Sequence, residues 1–296
     1  MKKSILVPLD GSDEAEAILS QVQRIASLQD EVHLLHLVPA LHAPVGMEPT
    51  HVLALNEQAG RFLGSTRERW LPDQPGLDLV RTGEPAEGIL NLALEKNIDL
   101  IAMTTHGRTG LPKFLLGSVA AEVVRKSQLP VLLTRPGLPL SSRSLQKVLV
   151  AVEGRETPGE LLETVKSLAV ESKAEIILFH ASAEVRDPAP LWATPPSPGT
   201  LSAPLRRLQD LADELEEQGF CAWPVVAEGD PVEQILAQAA KLKADLIALS
   251  TQARTGLERL LEGSVAAGVL RKSPVAVLLQ KPLVLHKTAL KGGSHG

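Results

Sequence analysis

Residues 107–133 read GRTGLPKFLLGSVAAEVVRKSQLPVLL, and residues 253–279 read ARTGLERLLEGSVAAGVLRKSPVAVLL. The two stretches align without a gap at a spacing of 146 residues, and 17 of their 27 positions are identical. Solenoid units run to about 20–50 residues, so so long a period marks a duplicated domain instead. Each copy carries a Gly-Ser pair, then a helical stretch, then a short apolar run that reads as a buried strand. The copies also differ at informative places. His106 is matched by Gln252, and Gly107 by Ala253.

Outward from this stretch, strands and helices alternate. Ile5–Leu9 is a short apolar run bounded by Asp10-Gly11-Ser12 and reads as a strand. Asp13–Leu28 places Ala17, Ile18, Val22, Ile25 and Ala26 at helical spacing. Val32–Val38 is a second strand, residues 39–50 form a loop rich in Pro and Gly, and Val52–Trp70 reads as a helix. That helix is expected to turn Arg61, Arg67, Glu68 and Arg69 toward water. Leu77–Arg81 is a third strand. Gly83-Glu84-Pro85 then puts a proline at a helix start, where a missing N–H costs nothing. The helix completed by Glu87–Lys96 leads to a strand at Asp99–Thr105, a helix at Val119–Lys126 and a fifth strand at Pro130–Thr134.

The second half repeats this order, with strands at Lys147–Val152, Glu175–His180, Cys221–Val226, Asp245–Ser250 and Val275–Leu279. Gly229-Asp230-Pro231 copies the glycine-proline turn. Short, continuously apolar strands alternating with helices predict an α/β fold: two tandem, doubly wound, parallel five-stranded sheets. The expected domains are residues 1–138 and 145–283, followed by a flexible tail at 284–296. The linker RPGLPLSSRSLQ, residues 135–146, contains two prolines and three serines. A second Pro-rich stretch, 187–204, contains six prolines and reads as a surface loop.

Composition excludes several functions. A net charge of −5 argues against an electrostatic footprint for nucleic acid. The chain has no Tyr, four Phe and three Trp, too few aromatic faces for base-stacking platforms. No apolar run approaches the ~20 residues a membrane span needs. The run after Lys2-Lys3 is too short for a signal peptide. A single cysteine, Cys221, cannot form an intrachain disulfide. A cytoplasmic location is expected. His33 and His36 are three apart on a strand and face opposite sides, so they are not a metal pair. No other His, Cys, Asp or Glu cluster supports a metal site.

Parallel sheets bind ligands beyond the carboxyl ends of their strands. Here those ends carry Asp10, Val38 and the run from Thr104 to Gly107. Gly107 and Gly117 permit close backbone approach, and Ser118 stands at the expected N-cap of the following helix. The N–H groups of Val119 and Ala120 begin that helix. With the helix dipole they favour an anion such as phosphate. Arg108 and Lys113 add positive charge. Taken alone, these glycines are turn residues. The sequence contains no G-x-x-x-x-G-K-[ST], and no G-x-G-x-x-G follows a strand.

In combination, LVPLDGS near the start, LLHLVP after the second strand and THGRTG…LLGSVAAEVVRKS…PVLL resemble the universal stress protein family over nearly the whole chain, as two tandem copies. The resemblance implies a Rossmann-like sheet similar to the adenine-nucleotide alpha-hydrolase-like folds. It implies an ATP site with the pattern G-x2-G-x9-G-[ST] at the end of the fourth strand. Pro8 and Asp10 would then lie by the ribose, the Val38 backbone would bond the adenine, and Met103 would pack on it. Gly107, Gly117, Ser118 and the N–H of Val119 would hold the phosphates, with His106 and Arg108 in the same loop. Thr104 stands where the pattern has its first Gly. Its side chain either crowds the ribose or donates a hydroxyl to it.

The second copy departs further: Pro8 becomes Ala151, Asp10 becomes Glu153, Val38 becomes Ser182 and Thr104 becomes Ser250. It is expected to bind ATP poorly and to act as a pairing partner. Three functions follow. The first is a stress-response regulatory protein that binds ATP, with or without Mg²⁺, in its first domain and whose halves form an intrachain pseudo-dimer. A homodimer of such chains is a further option. The second is a slow ATPase using Asp10 or His106, ranked below binding because neither has an orienting partner in sequence. The third is a nucleotide-free interaction module that pairs its sheet edges at Pro130–Thr134 and Val275–Leu279.

Overall fold

The structure, a computed structural model, describes residues 2–38, 49–105, 116–138, 144–152, 159–182, 203–250 and 265–282. The first half runs β1 (Ser4–Pro8), α1 (Asp13–Ile25), β2 (Glu31–Val38), α2 (Pro49–Trp70), β3 (Asp78–Thr82), α3 (Pro85–Glu95), β4 (Leu100–Thr104), α4 (Ser118–Lys126) and β5 (Val131–Thr134). The second half repeats it as β6 (Lys147–Ala151), α5 (Gly159–Ala169), β7 (Glu175–Ser182), α6 (Ala203–Glu217), β8 (Ala222–Glu228), α7 (Pro231–Leu242), β9 (Leu246–Ser250), α8 (Val265–Lys272) and β10 (Ala276–Gln280). The strands read from sequence are all present, each within about two residues of its expected ends.

Each half orders its strands 3-2-1-4-5 with every pairing parallel. The two five-stranded sheets join into one ten-stranded sheet, because β5 and β10 pair antiparallel. The register of this junction is symmetric. Leu132 sits opposite its own repeat counterpart, Leu278, while Val131 faces Leu279 and Leu133 faces Val277. A pseudo-two-fold axis therefore passes through the Leu132–Leu278 pair, giving within one chain the isologous contact of a symmetric dimer. Joining the edges this way also satisfies two ladders that would otherwise lie open.

Alternation along the strands sorts side chains onto two faces. Ile5 and Val7 enter a core with Ile18 and Leu19 of α1, Leu63 of α2, Leu161 of α5 and Leu208 of α6. Leu6 and Leu35 enter the opposite core with Ile89 of α3, Val123 of α4, Ile235 of α7 and Val269 of α8. Both cores run through both halves, so the junction is a continuous packed interior.

The glycine-proline turn behaves as its sequence predicts. Pro85 and Pro231 open α3 and α7. Gly83 and Gly229 precede them at φ values of 152° and 134°, where a side chain is strained. Only one of the two helices has a side-chain cap: Asp230 accepts from Glu233 N at 2.9 Å, whereas Glu84 makes no such bond.

The expectation for Arg67 is corrected. Its side chain is largely buried and does not point to water. Its guanidinium pairs with Asp78 at 2.7 Å and donates to the carbonyls of Val32, Gln74 and Leu77, tying α2 to the β2–β3 edge. The α2 stripe alone does not reveal this, because the partners lie in other elements. The tail at 284–296, residues 187–202 of the Pro-rich stretch and linker residues 139–143 lie outside the described residues.

Candidate functional site

A cavity of about 320 Å³ opens at the carboxyl end of the first half's sheet. Its floor is the end of β1, with Pro8, Leu9 and Asp10. One wall comes from β2 and α3, through Leu35, Leu37, Pro85 and Ile89, and the other from β4, through Met103, Thr104 and Thr105. The start of α4, from Gly117 to Ala120, closes the β4 side. Strand order explains the arrangement. β1 lies between β2 and β4, so the loops leaving β1 and its neighbours diverge and leave a crevice above it.

Most of the lining is aliphatic, with polar groups confined to a few positions. Asp10 is the carboxylate among them. Its Oδ1 accepts from Ser12 N at 3.0 Å and from Ser12 Oγ at 2.6 Å. Ser12 in turn caps α1, accepting from Ala15 N at 3.2 Å. The carboxylate is thus oriented by the turn that starts α1. Thr104 ends β4 and lines the cavity as a buried side chain.

α4 begins one residue earlier than sequence suggested. Gly117, with an ordinary φ of −58°, is the N-cap, and Ser118 is the first helical residue, which corrects its expected capping role. The Gly117 N–H donates to Thr105 O at 2.7 Å, and the first intrahelical bond runs from Ala121 N to Gly117 O at 2.8 Å. The N–H groups of Ser118, Val119 and Ala120 are therefore the helix-start donors.

Among the residues expected at the site, the cavity brings together Pro8, Asp10, Met103, Thr104, Gly117, Ser118 and Val119. It does not bring in Val38. That carbonyl accepts from Gly83 N at 3.1 Å, and the neighbouring Leu37 lines the wall instead. The cavity takes Leu35, His36 and Leu37 from β2, and its lining stops one residue short of Val38. His106, Gly107 and Arg108 lie outside the described residues. Sequence reading missed Leu35, Leu37, His36, Pro85, Ile89, Leu9 and Ala15. Projecting the period-two pattern of β2 onto the end of β1 would have found the first two.

Strand register gives the counterparts in the second half. Pro8 pairs with Leu35 as Ala151 pairs with Phe179. Leu35 is thus replaced by a phenylalanine, the bulkiest fully buried side chain described. Two further substitutions trade volume. A Cβ on Gly88 would come within 2.6 Å of Leu37, so the glycine admits that leucine. In the second half Gln234 stands for the glycine and Ala181 for the leucine. The counterparts Glu153, Gln252, Ala253, Gly263 and Ser264 lie outside the described residues. His36 and His180, equivalent across the repeat, have different contacts. His180 Nδ1 lies 2.8 Å from Val152 O, while the His36 ring meets Phe62 edge-on at 5.9 Å.

With this geometry in hand, comparison with known proteins places the chain. The universal stress protein family matches residues 1–135 and again residues 144–281. A universal stress protein of Methanocaldococcus jannaschii is 30% identical over 155 residues, which are 46% of this chain and 96% of that protein. One from Mycolicibacterium smegmatis is 22% identical over 293 residues, spanning 94% of this chain and 97% of its own. The crystal structure of a universal stress protein from Archaeoglobus fulgidus superposes with a TM-score of 0.73 at 21% identity, covering 94% of this chain and 98% of that one, and so shares the fold. The chain belongs to the universal stress protein family, as a tandem two-domain member.

Proposed function

We propose that this chain is a nucleotide-binding regulatory protein: its first half binds ATP, and its second half serves as the pairing partner. The observation that carries the reading is the first-half cavity, which joins an aliphatic slot to a carboxylate and a helix start. Its volume of about 320 Å³ falls at the lower end of small-molecule sites. In this reading the purine lies between Leu37 and Ile89 on one side and Met103 on the other, its faces against aliphatic side chains. Asp10, held by Ser12, supplies an acceptor for ribose hydroxyls. The phosphates run toward the start of α4, where unpaired N–H groups and the helix dipole favour an anion. Thr104 enters this reading as a hydroxyl beside the sugar.

Among the described residues no group of three candidate metal ligands occurs, so Mg²⁺ would arrive on the phosphates. The carboxylate of Asp10 is spent as an oriented acceptor, which suits binding better than proton abstraction. No helix among the described residues is long and apolar enough to cross a membrane.

Equilibrium titration of the whole chain with ATP, ADP and AMP tests the proposal. The expected result is saturable ATP binding that weakens at least tenfold in Asp10→Ala. The absence of heat or fluorescence change at millimolar nucleotide contradicts it.

A further inference from the structure

We infer that Lys281, a residue of the second half, is a positioning residue for the first half's nucleotide site and acts through α4. The inference rests on the nucleotide reading above. α4 starts at the cavity with Ser118 and runs nine residues to Lys126, a rod about 13 Å long. Its last carbonyls have no partners inside the helix and form the negative end of the dipole. Across the junction, the Lys281 ammonium donates to the carbonyl of Arg125 at that end.

The contact has a symmetric mate. Arg135, 146 residues earlier, donates to Arg271 O at 3.0 Å and to Ser273 O at 2.5 Å, at the end of α8. The junction register produces both. Leu279 faces Val131, so Lys281, two residues further on, lies beside the turn that leads from α4 into β5. Each half therefore seats the last helix of the other with a cation that follows its own last strand. The two contacts differ in consequence, because α4 is the helix that opens on the cavity. Its start is tied to β4 through Gly117 N and Thr105 O, and its far end is seated by Lys281. Releasing the far end lets the rod tilt and takes the N–H groups of Ser118 and Val119 off the phosphates. By linkage, nucleotide at the start of α4 tightens the Lys281 contact at its end.

The test uses the whole chain as wild type, Lys281→Met, Lys281→Arg and Arg135→Met. ATP affinity is measured by titration, and amide hydrogen exchange is followed with and without ATP. Lys281→Met is expected to weaken ATP binding about three- to tenfold and to speed exchange in the last turn of α4. Lys281→Arg should keep most of the affinity. Arg135→Met should speed exchange at the end of α8 and leave ATP affinity within about twofold of wild type. In wild type, ATP should slow exchange in the last turn of α4, and Lys281→Met should lose that slowing. Equal affinity losses in the two Met variants would mean a general loosening of the junction and overturn the inference, as would unchanged affinity in Lys281→Met. A wild type that binds no ATP fails the proposed function, and the positioning role with it. A wild type that binds, with a Lys281→Met variant that binds equally well, fails this inference alone.

Discussion

The two halves share strand order, helix order and junction register, yet their interiors have been repacked in opposite directions. On the cavity side, Leu35, Leu37 and Gly88 of the first half correspond to Phe179, Ala181 and Gln234 of the second. At the foot of the sheet the contrast is one of charge. Asp30 and Lys3 form a buried ion pair at 3.0 Å, and His33 is buried on β2. The counterparts of Asp30 and His33 are Ala174 and Ile177, both buried and apolar. Ion pairs and cavities both reduce the stability that well-packed apolar groups of similar volume provide. In the proposed reading these are the features of a working site in the first half and of a support in the second. Two copies of one fold thus differ in their interiors by a few substitutions while the backbone and junction stay fixed.

The largest expected effect is on what the halves share. Leu278 lies on the pseudo-axis, fully buried against Leu132. Leu278→Ala should cost about 2–5 kcal/mol, and the loss should appear in probes of both halves during urea unfolding. A loss confined to the second half would show that the continuous sheet does not couple them. A smaller effect should separate the halves. Leu35→Phe copies the second half's residue into the cavity wall and should weaken ATP binding about tenfold or more, equivalent to about 1.4 kcal/mol, with an overpacking cost of about 1–3 kcal/mol. Unchanged affinity would mean that the aromatic side chain is not what distinguishes the two interiors.

Acid should act on the first half before the second. Burial lowers the His33 imidazole below its usual range, assisted by the nearby Arg67 and Lys96 and opposed by Glu31. Its neutral Nδ1 accepts from Leu77 N at 3.2 Å. Burial pushes the Asp30 carboxyl up, but hydrogen bonds from the Ser27 and Lys3 backbones and the Lys3 ammonium outweigh it, and the net shift is downward. Both groups therefore have folded-state values below their unfolded ones. Each contributes stability that is complete above its unfolded value and is lost as pH falls through the folded one. Hydrogen exchange should show β2 and its neighbours loosening first below about pH 6.5 and then below about pH 4, ahead of β7. Simultaneous loosening of β2 and β7 would remove the charge contrast.

The smallest effect concerns the helix caps. Asp230→Ala should cost about 1 kcal/mol through loss of the Glu233 N–H contact, and Glu84→Ala a few tenths at most, because Glu84 makes no capping bond. Thermal unfolding of the two variants distinguishes them, and equal losses would contradict the assignment.

The fold was legible because each strand is a brief apolar run flanked by turn residues, so Ile5–Leu9 or Asp99–Thr105 could be placed to within a residue or two. The repeat itself announced the duplication. The way the halves join was less legible. The pairing of β5 with β10 follows from exposed edges, but the placing of Leu132 against Leu278 needs coordinates. The site was read in part. Asp10, Thr104 and Gly117 stand out by the rule that strand ends bind ligands, Met103 only by the family resemblance, and all four line the cavity. The backbone role of Val38 comes from the family resemblance, and the cavity lining stops one residue before it, at Leu37. The burial of Arg67 is not legible in a helical pattern, because its four acceptors lie on three other segments. Phe179 lies outside the positions of the binding pattern, on the counterpart of the strand that walls the cavity, so the pattern does not point to it.

The central claim is that one half binds nucleotide and the other supports it, and a co-crystal of the whole chain grown with ATP tests it most directly. The account predicts electron density for adenine, ribose and phosphates above β1 of the first half, and none at the equivalent place above β6. Equal occupancy in the two halves, or nucleotide in the second half alone, would contradict it.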